Sequence, residues 1–151
     1  MGGETTGRGA RLSEAEHRAW CGLLQGHARV ARRLEVALQE HHHLSLAEHD
    51  VLERLWEAGG RLRMSELAGT AHLSPSGISR LVDRLAAHGL LERATATGDG
   101  RAILAVITTA GRRRLQESGE TYAGELREAF LSDFSADEVE TLGKLLGRLR
   151  E

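Results

Sequence analysis

Apolar residues recur at three- and four-residue spacing along most of this chain, which predicts a mainly helical protein. The first such run holds Trp20, Leu23, Leu24, His27, Ala31, Leu34 and Leu38. It follows Ser13-x-x-Glu16, a pair whose side chains can each satisfy the other's free backbone N–H at a helix start. The pattern fades at His41-His42-His43. A second box, Ser45-x-x-Glu48, opens a helix with Val51, Leu52, Leu55 and Trp56 on its apolar face, and Gly59-Gly60 ends it. Arg61-Leu62-Arg63 alternates over the length of a minimal strand. Ser65 is the expected N-cap of a short helix carrying Leu67 and Ala68, and His72-Leu73 is a tight link. Ser74-Pro75 then starts a longer helix that should run to His88, with Gly89 as its stop.

A hairpin pattern comes next. Leu90 to Arg93 and Ala102 to Thr108 form its arms, and Gly98-Asp99-Gly100 favours a turn between them. Thr109 is expected to cap a long helix carrying Leu115, Tyr122, Leu126, Ala129 and Phe130. A third box, Ser135-x-x-Glu138, precedes a last helix with Val139, Leu142, Leu145, Leu146 and Leu149. The expected fold is mainly α with a small β-hairpin wing. A winged helix-turn-helix spans 45–108, helical segments at 13–44 and 109–151 flank it, and 1–12 is a flexible N-terminus. The flanking helices carry apolar stripes with no internal partner, so a second copy of the chain is expected to cover them as a homodimer.

Composition narrows the class. The 151 residues include one cysteine, Cys21, which excludes an intramolecular disulfide and a cysteine-based zinc site. No run is long enough to span a membrane, and the polar, Gly-rich first ten residues lack the apolar core of a secretory signal, so a cytoplasmic location is expected. The formal charge of −2 argues against nucleic acid, but its distribution reverses that. From Arg61 to Arg114 there are nine arginines and four acids, while the flanks hold 11 bases and 18 acids. A basic middle between acidic flanks is the footprint of a nucleic-acid module in a solvated scaffold.

Met64 to His88 reads as helix, turn, helix. On the second helix Ile78, Leu81, Val82 and Leu85 share one face, and Ser76, Ser79, Arg80, Asp83 and Arg84 share the other. A polar face free of bulky apolar groups suits the major groove, where arginine pairs with guanine and serine serves bases or phosphates, beginning at the turn from Ser74 to Ser79. The same face also fits a solvated surface helix. The wing adds Arg101, an arginine on a projecting hairpin of the kind that enters a narrow minor groove. Asp99 either orients Arg101 by a charge-assisted hydrogen bond or serves the turn itself.

The segments Leu67-Ala68, Ser74-x-Ser76-Gly77-Ile78-Ser79-Arg80-Leu81-Val82-Asp83-Arg84-Leu85, Gly89-Leu90-Leu91-Glu92-Arg93, Asp99-x-Arg101 and Ile107-Thr108-Thr109-Ala110-Gly111 resemble the MarR family of multiple-antibiotic-resistance-type regulators. The resemblance covers Ser13 to Arg150. It implies a homodimer of intertwined terminal helices on a palindromic double-stranded DNA operator, with Ser76, Ser79, Arg80 and Arg84 facing the major groove and Arg101 the minor groove. It implies a ligand-responsive repressor, released by a small aromatic or phenolic effector bound between reading head and dimer helices. His17, Trp20 and His49 are candidate lining residues, and ordinary packing or solvation explains each equally well. The wing segment Ala94 to Gly98 carries less charge than many family wings.

One branch of the family senses organic hydroperoxides through a cysteine in the first helix, which makes Cys21 a redox candidate. The only tyrosine, Tyr122, is far away in sequence, and an inert buried thiol is the favoured reading. Three adjacent histidines, His41 to His43, do not share one helical face, so no metal site is expected; a metal sensor using His27 or His49 as well is the weaker alternative. The sequence has no phosphate loop, nucleophile elbow, metal-ligand helix or framed carboxylate pair, so neither an enzyme nor a cofactor is expected. The remaining rival is a winged-helix module that binds protein, in which Arg80, Arg84 and Arg101 would be incidental.

Overall fold

The computed structural model describes residues 11–70, 74–96 and 102–150. The elements run α1 (Glu14–His42), α2 (Leu46–Glu57), β1 (Arg61–Arg63), α3 (Met64–Thr70), α4 (Pro75–Ala87), β2 (Leu91–Thr95), β3 (Ile103–Ile107), α5 (Thr109–Ala129) and α6 (Ala136–Gly147), with short 3-10 turns after α5 and α6. All three capping boxes form. Ser13, Ser45 and Ser135 each accept the N–H of the glutamate three residues on, and each glutamate accepts the serine N–H in return.

Two helix starts differ from expectation. Thr108, not Thr109, caps α5: it holds extended backbone and its hydroxyl accepts the Gly111 N–H at 3.1 Å. Ser65 lies inside α3, which begins one residue earlier, directly off β1. There the Glu66 carboxylate reaches back to accept the Arg63 N–H at 2.8 Å. The link at His72-Leu73 lies outside the described residues.

The three strands form an antiparallel sheet in the order β1-β3-β2, with Arg61 opposite Val106 and Leu91 opposite Ile107. α2, α3 and α4 pack on the sheet around one core of Leu52, Leu55, Leu67, Ile78, Val82, Leu85, Leu91 and Ala105, each at most 2% exposed. Burying each leucine, isoleucine or valine of this core stabilises the fold by roughly 1.5–3 kcal/mol. Gly60 (φ +97°) and Gly89 (φ +69°) turn the chain after α2 and α4 in backbone conformations that cost other residues dearly.

A second, smaller cluster of Val30, Leu34 and Ala129, with Tyr122, Leu126 and Phe130 against it, ties α1 to α5. Arg33 to Glu125 at 2.8 Å and Arg29 to Asp133 at 3.1 Å flank it. Outside this cluster the terminal helices stay open. Trp20, Leu23 and Leu24 on α1 are 54%, 41% and 49% exposed, and α6 buries no residue at all.

Candidate nucleic-acid interface and effector cleft

α4 presents its polar face outward because its apolar stripe is fully spent on the core. Ile78, Leu81, Val82 and Leu85 are buried, while Ser76, Arg80, Asp83 and Arg84 are exposed. The Ser74 hydroxyl caps the helix by accepting the Gly77 N–H at 3.2 Å, and it lies 3.1 Å from the Ser76 hydroxyl. Arg80 has no ion-pair or hydrogen-bond partner among the described residues, so its guanidinium is available to a ligand.

Arg84 differs. Its Nε lies 3.1 Å from the Glu48 carboxylate, and the Glu48 side chain is 10% exposed while also capping α2. Ser79 differs as well: Arg93 of β2 donates to its hydroxyl at 3.1 Å and to the Asp83 carboxylate at 2.8 Å. Arg93 therefore neutralises the one acid on the α4 face and fixes a serine beside it. Local periodicity could not reveal this, because the partners are ten and fourteen residues apart on different elements. Replacing Arg93 with Met should weaken DNA binding several-fold, since it leaves the Asp83 charge facing phosphates. Equal affinity of variant and wild type at low salt would show that Asp83 is not held near the nucleic acid. Asp99 and Arg101 lie outside the described residues.

A cleft of about 660 Å³ opens between α2 and α5, lined by His49, Glu53, Trp56, Arg112, Tyr122 and their neighbours. His49 stacks on Tyr122 with ring centroids 4.8 Å apart and planes 2° from parallel. The Arg112 guanidinium sits 5.0 Å from the Trp56 ring, which is half exposed rather than part of the core. His49, Tyr122, Trp56 and Arg112 form one wall. His17 and Trp20 do not join them: both are exposed on α1, outside the residues that line the cleft. Tyr122 and Arg112 were not singled out by sequence, although the helical period did put Tyr122 on the inner face of α5.

Burial sets the charge states here. It pushes the His49 imidazole below its ordinary value, with nearby Asp50 opposing and His42 reinforcing the shift. It raises Asp50 and Glu53, and it raises Tyr122, an effect the carboxylates of Asp50 and Glu53 add to. His49 is 1% exposed and neither ring nitrogen has a hydrogen-bond partner. A buried unsatisfied polar group costs roughly 1–3 kcal/mol. His49→Phe keeps a ring against Tyr122 and removes both nitrogens, so it should stabilise the protein by about 1 kcal/mol at pH 7.5. The folded imidazole resists protonation while the unfolded one takes a proton below about pH 6.5. Wild-type stability from this group is thus full above that pH and is lost as pH falls through the depressed folded value. The gap between variant and wild type should widen from pH 7.5 to 5.5 in thermal melts; a constant or absent gap would refute the assignment.

Cys21 is half-buried, its Sγ 3.6 Å from the His17 Nε2. No described helix is long and apolar enough to cross a membrane.

Comparison with known proteins agrees with this geometry. Residues 44–103 match the MarR family model. The transcriptional repressor YetL of Bacillus subtilis is 31% identical over 109 residues, 72% of this chain, and the chain spans 65% of YetL's own length. AbsC, a MarR family transcriptional regulator from Streptomyces coelicolor, superposes with a TM-score of 0.84 at 26% identity, over 93% of this chain and 95% of its own. A second MarR family regulator from that organism, solved in complex with DNA, gives 0.85 at 25% identity, over 93% and 92%. The segment that matches the MarR family is the winged helix, and the helices flanking it share the fold of the family's solved members.

Proposed function

We propose that this protein is a transcriptional repressor that binds an inverted-repeat operator as a homodimer and is released by a small aromatic or phenolic effector. The observation that carries the reading is the α4 face, where Ser76 and an unpartnered Arg80 project from a helix otherwise spent on the core. Ser74, Ser79 and the wing residues Asp99 and Arg101 complete the proposed contact set, and the relative solved with DNA supports it. The exposed apolar residues of α1, of α6 and of the 3-10 turn after it, Trp20, Leu23, Leu24, Leu145 and Leu149, support the dimer, because a second copy would remove them from water. The cleft between α2 and α5 would take the effector, with its ring among Tyr122, His49 and Trp56.

A fluorescence-anisotropy titration against the DNA upstream of the gene tests the reading. Specific binding should weaken steeply as salt rises, because each phosphate contact releases condensed counterions. An Arg80→Ala/Arg101→Ala double variant should lose most of the affinity. If reduced, ligand-free protein binds neither this DNA nor selected random sequences, the protein-binding reading takes its place. A thiol switch at Cys21 is the second reading, favoured by the imidazole of His17 against the sulfur. It requires organic hydroperoxide to abolish operator binding in wild type but not in Cys21→Ser.

A further inference from the structure

His49, Asp50 and Glu53 gather three donor atoms on one side of α2, one imidazole nitrogen and two carboxylate oxygens, all within 4.8 Å of one another. His49 and Glu53 stand one helical turn apart, and Asp50 adjoins them. The His49 side chain is 1% exposed with both ring nitrogens unpartnered, and one of those nitrogens faces the two carboxylates. Neither Asp50 nor Glu53 has a hydrogen-bond or ion-pair partner among the described residues. A folded protein rarely leaves a buried nitrogen orphaned, and still more rarely beside two unpaired acids.

We propose that His49, Asp50 and Glu53 bind a divalent first-row transition-metal ion. A dication satisfies all three groups at once: it accepts the imidazole lone pair and offsets both carboxylate charges. One nitrogen with two oxygens suits ions such as zinc, cobalt or manganese, and lacks the thiolates a softer ion prefers. Bonds of about 2.0–2.2 Å put coordinated atoms no more than roughly 4.2–4.4 Å apart, so only a small rotation of the exposed Glu53 closes the site. Stacking on Tyr122 already fixes the His49 ring, which lowers the cost of ordering it. Water, or a donor atom from a molecule in the adjoining cleft, completes the coordination shell. This site is independent of the operator reading, and its test contains no DNA.

The full chain, stripped with a chelator, is titrated with Co²⁺ and followed by its visible absorption and by calorimetry. Saturation at one equivalent per chain is expected. Glu53→Gln and His49→Phe should each weaken Co²⁺ binding at least tenfold, and a His41→Ala/His43→Ala variant should bind as wild type does. Glu53 is exposed, so Glu53→Gln tests the site a second time without altering the buried ring of His49. The absence of saturable binding, undiminished affinity in Glu53→Gln, or a loss that follows His41 and His43 instead would overturn the assignment.

Discussion

Arg80→Ala should bind the operator about 10- to 100-fold more weakly than wild type while melting at the same temperature. The affinity loss is that of the proposed bidentate pairing of Arg80 to guanine, worth roughly 1–3 kcal/mol per contact. The unchanged stability follows from the structure: Arg80 is exposed and makes no ion pair or hydrogen bond among the described residues, so truncation removes nothing the fold uses. Arg84→Ala should behave in the opposite way. Its guanidinium pairs with a Glu48 carboxylate that is largely buried and also caps α2. Removing the arginine leaves that carboxylate uncompensated. Arg84 itself is 59% exposed, so solvent screening holds the stability loss to about 1 kcal/mol. The two variants, measured side by side by anisotropy and thermal melting, separate a residue proposed to read DNA from one that braces the helix beside it. Equal affinity losses in both variants, without a stability loss in Arg84→Ala, would put both arginines on the DNA and dissolve the distinction.

That distinction marks where the sequence stops being informative. Periodicity and capping are local, and they located every helix, the hairpin arms and the polar face of α4. They could not separate Arg80 from Arg84, because Glu48 lies 36 positions upstream on another helix. The same limit hid the Arg93 clamp on Ser79 and Asp83, and the stacking of His49 on Tyr122 across 73 positions. Trp20 and Trp56 fail for a different reason. An apolar residue at the right phase reads as core whether it faces this chain's interior, an open cleft or a second subunit, and both tryptophans are 54% exposed in the single chain. The family's account of where an effector lies groups His17 and Trp20 with His49, but the fold puts both on α1, outside the residues of α2 and α5 that line the cleft.

Gly111→Ala should cost about 3 kcal/mol, at the upper end of what overpacking a closed site costs. Gly111 is buried in the first turn of α5, where the helix passes the backbone of Leu90, the residue before β2. A Cβ built there falls inside the contact radius of the Leu90 carbonyl oxygen and 2.9 Å from the Ile107 Cγ1. Neither neighbour can yield cheaply. The Leu90 carbonyl accepts the Thr108 N–H at 3.1 Å, and the Thr108 hydroxyl donates to the Gly89 carbonyl at 2.6 Å while capping α5. Ile107 is 4% exposed in the sheet, and its N–H is bonded to the Gly60 carbonyl. A methyl group must therefore lever α5 away from the winged module and break the bonds that join them. At roughly 2–4 °C per kcal/mol for a chain of this size, the melting point should fall by about 10 °C. Gly124, on the same helix with nothing within 4 Å of its own built Cβ, supplies the contrast: Gly124→Ala should raise stability by about 0.5–1 kcal/mol through helix propensity alone. Opposite signs from one substitution at two glycines of one helix would place the effect in the Leu90 contact. A Gly111→Ala protein that melts within a degree or two of wild type would show that α5 does not approach the Leu90 carbonyl so closely, and that the reading head is free to move against the helices beside it.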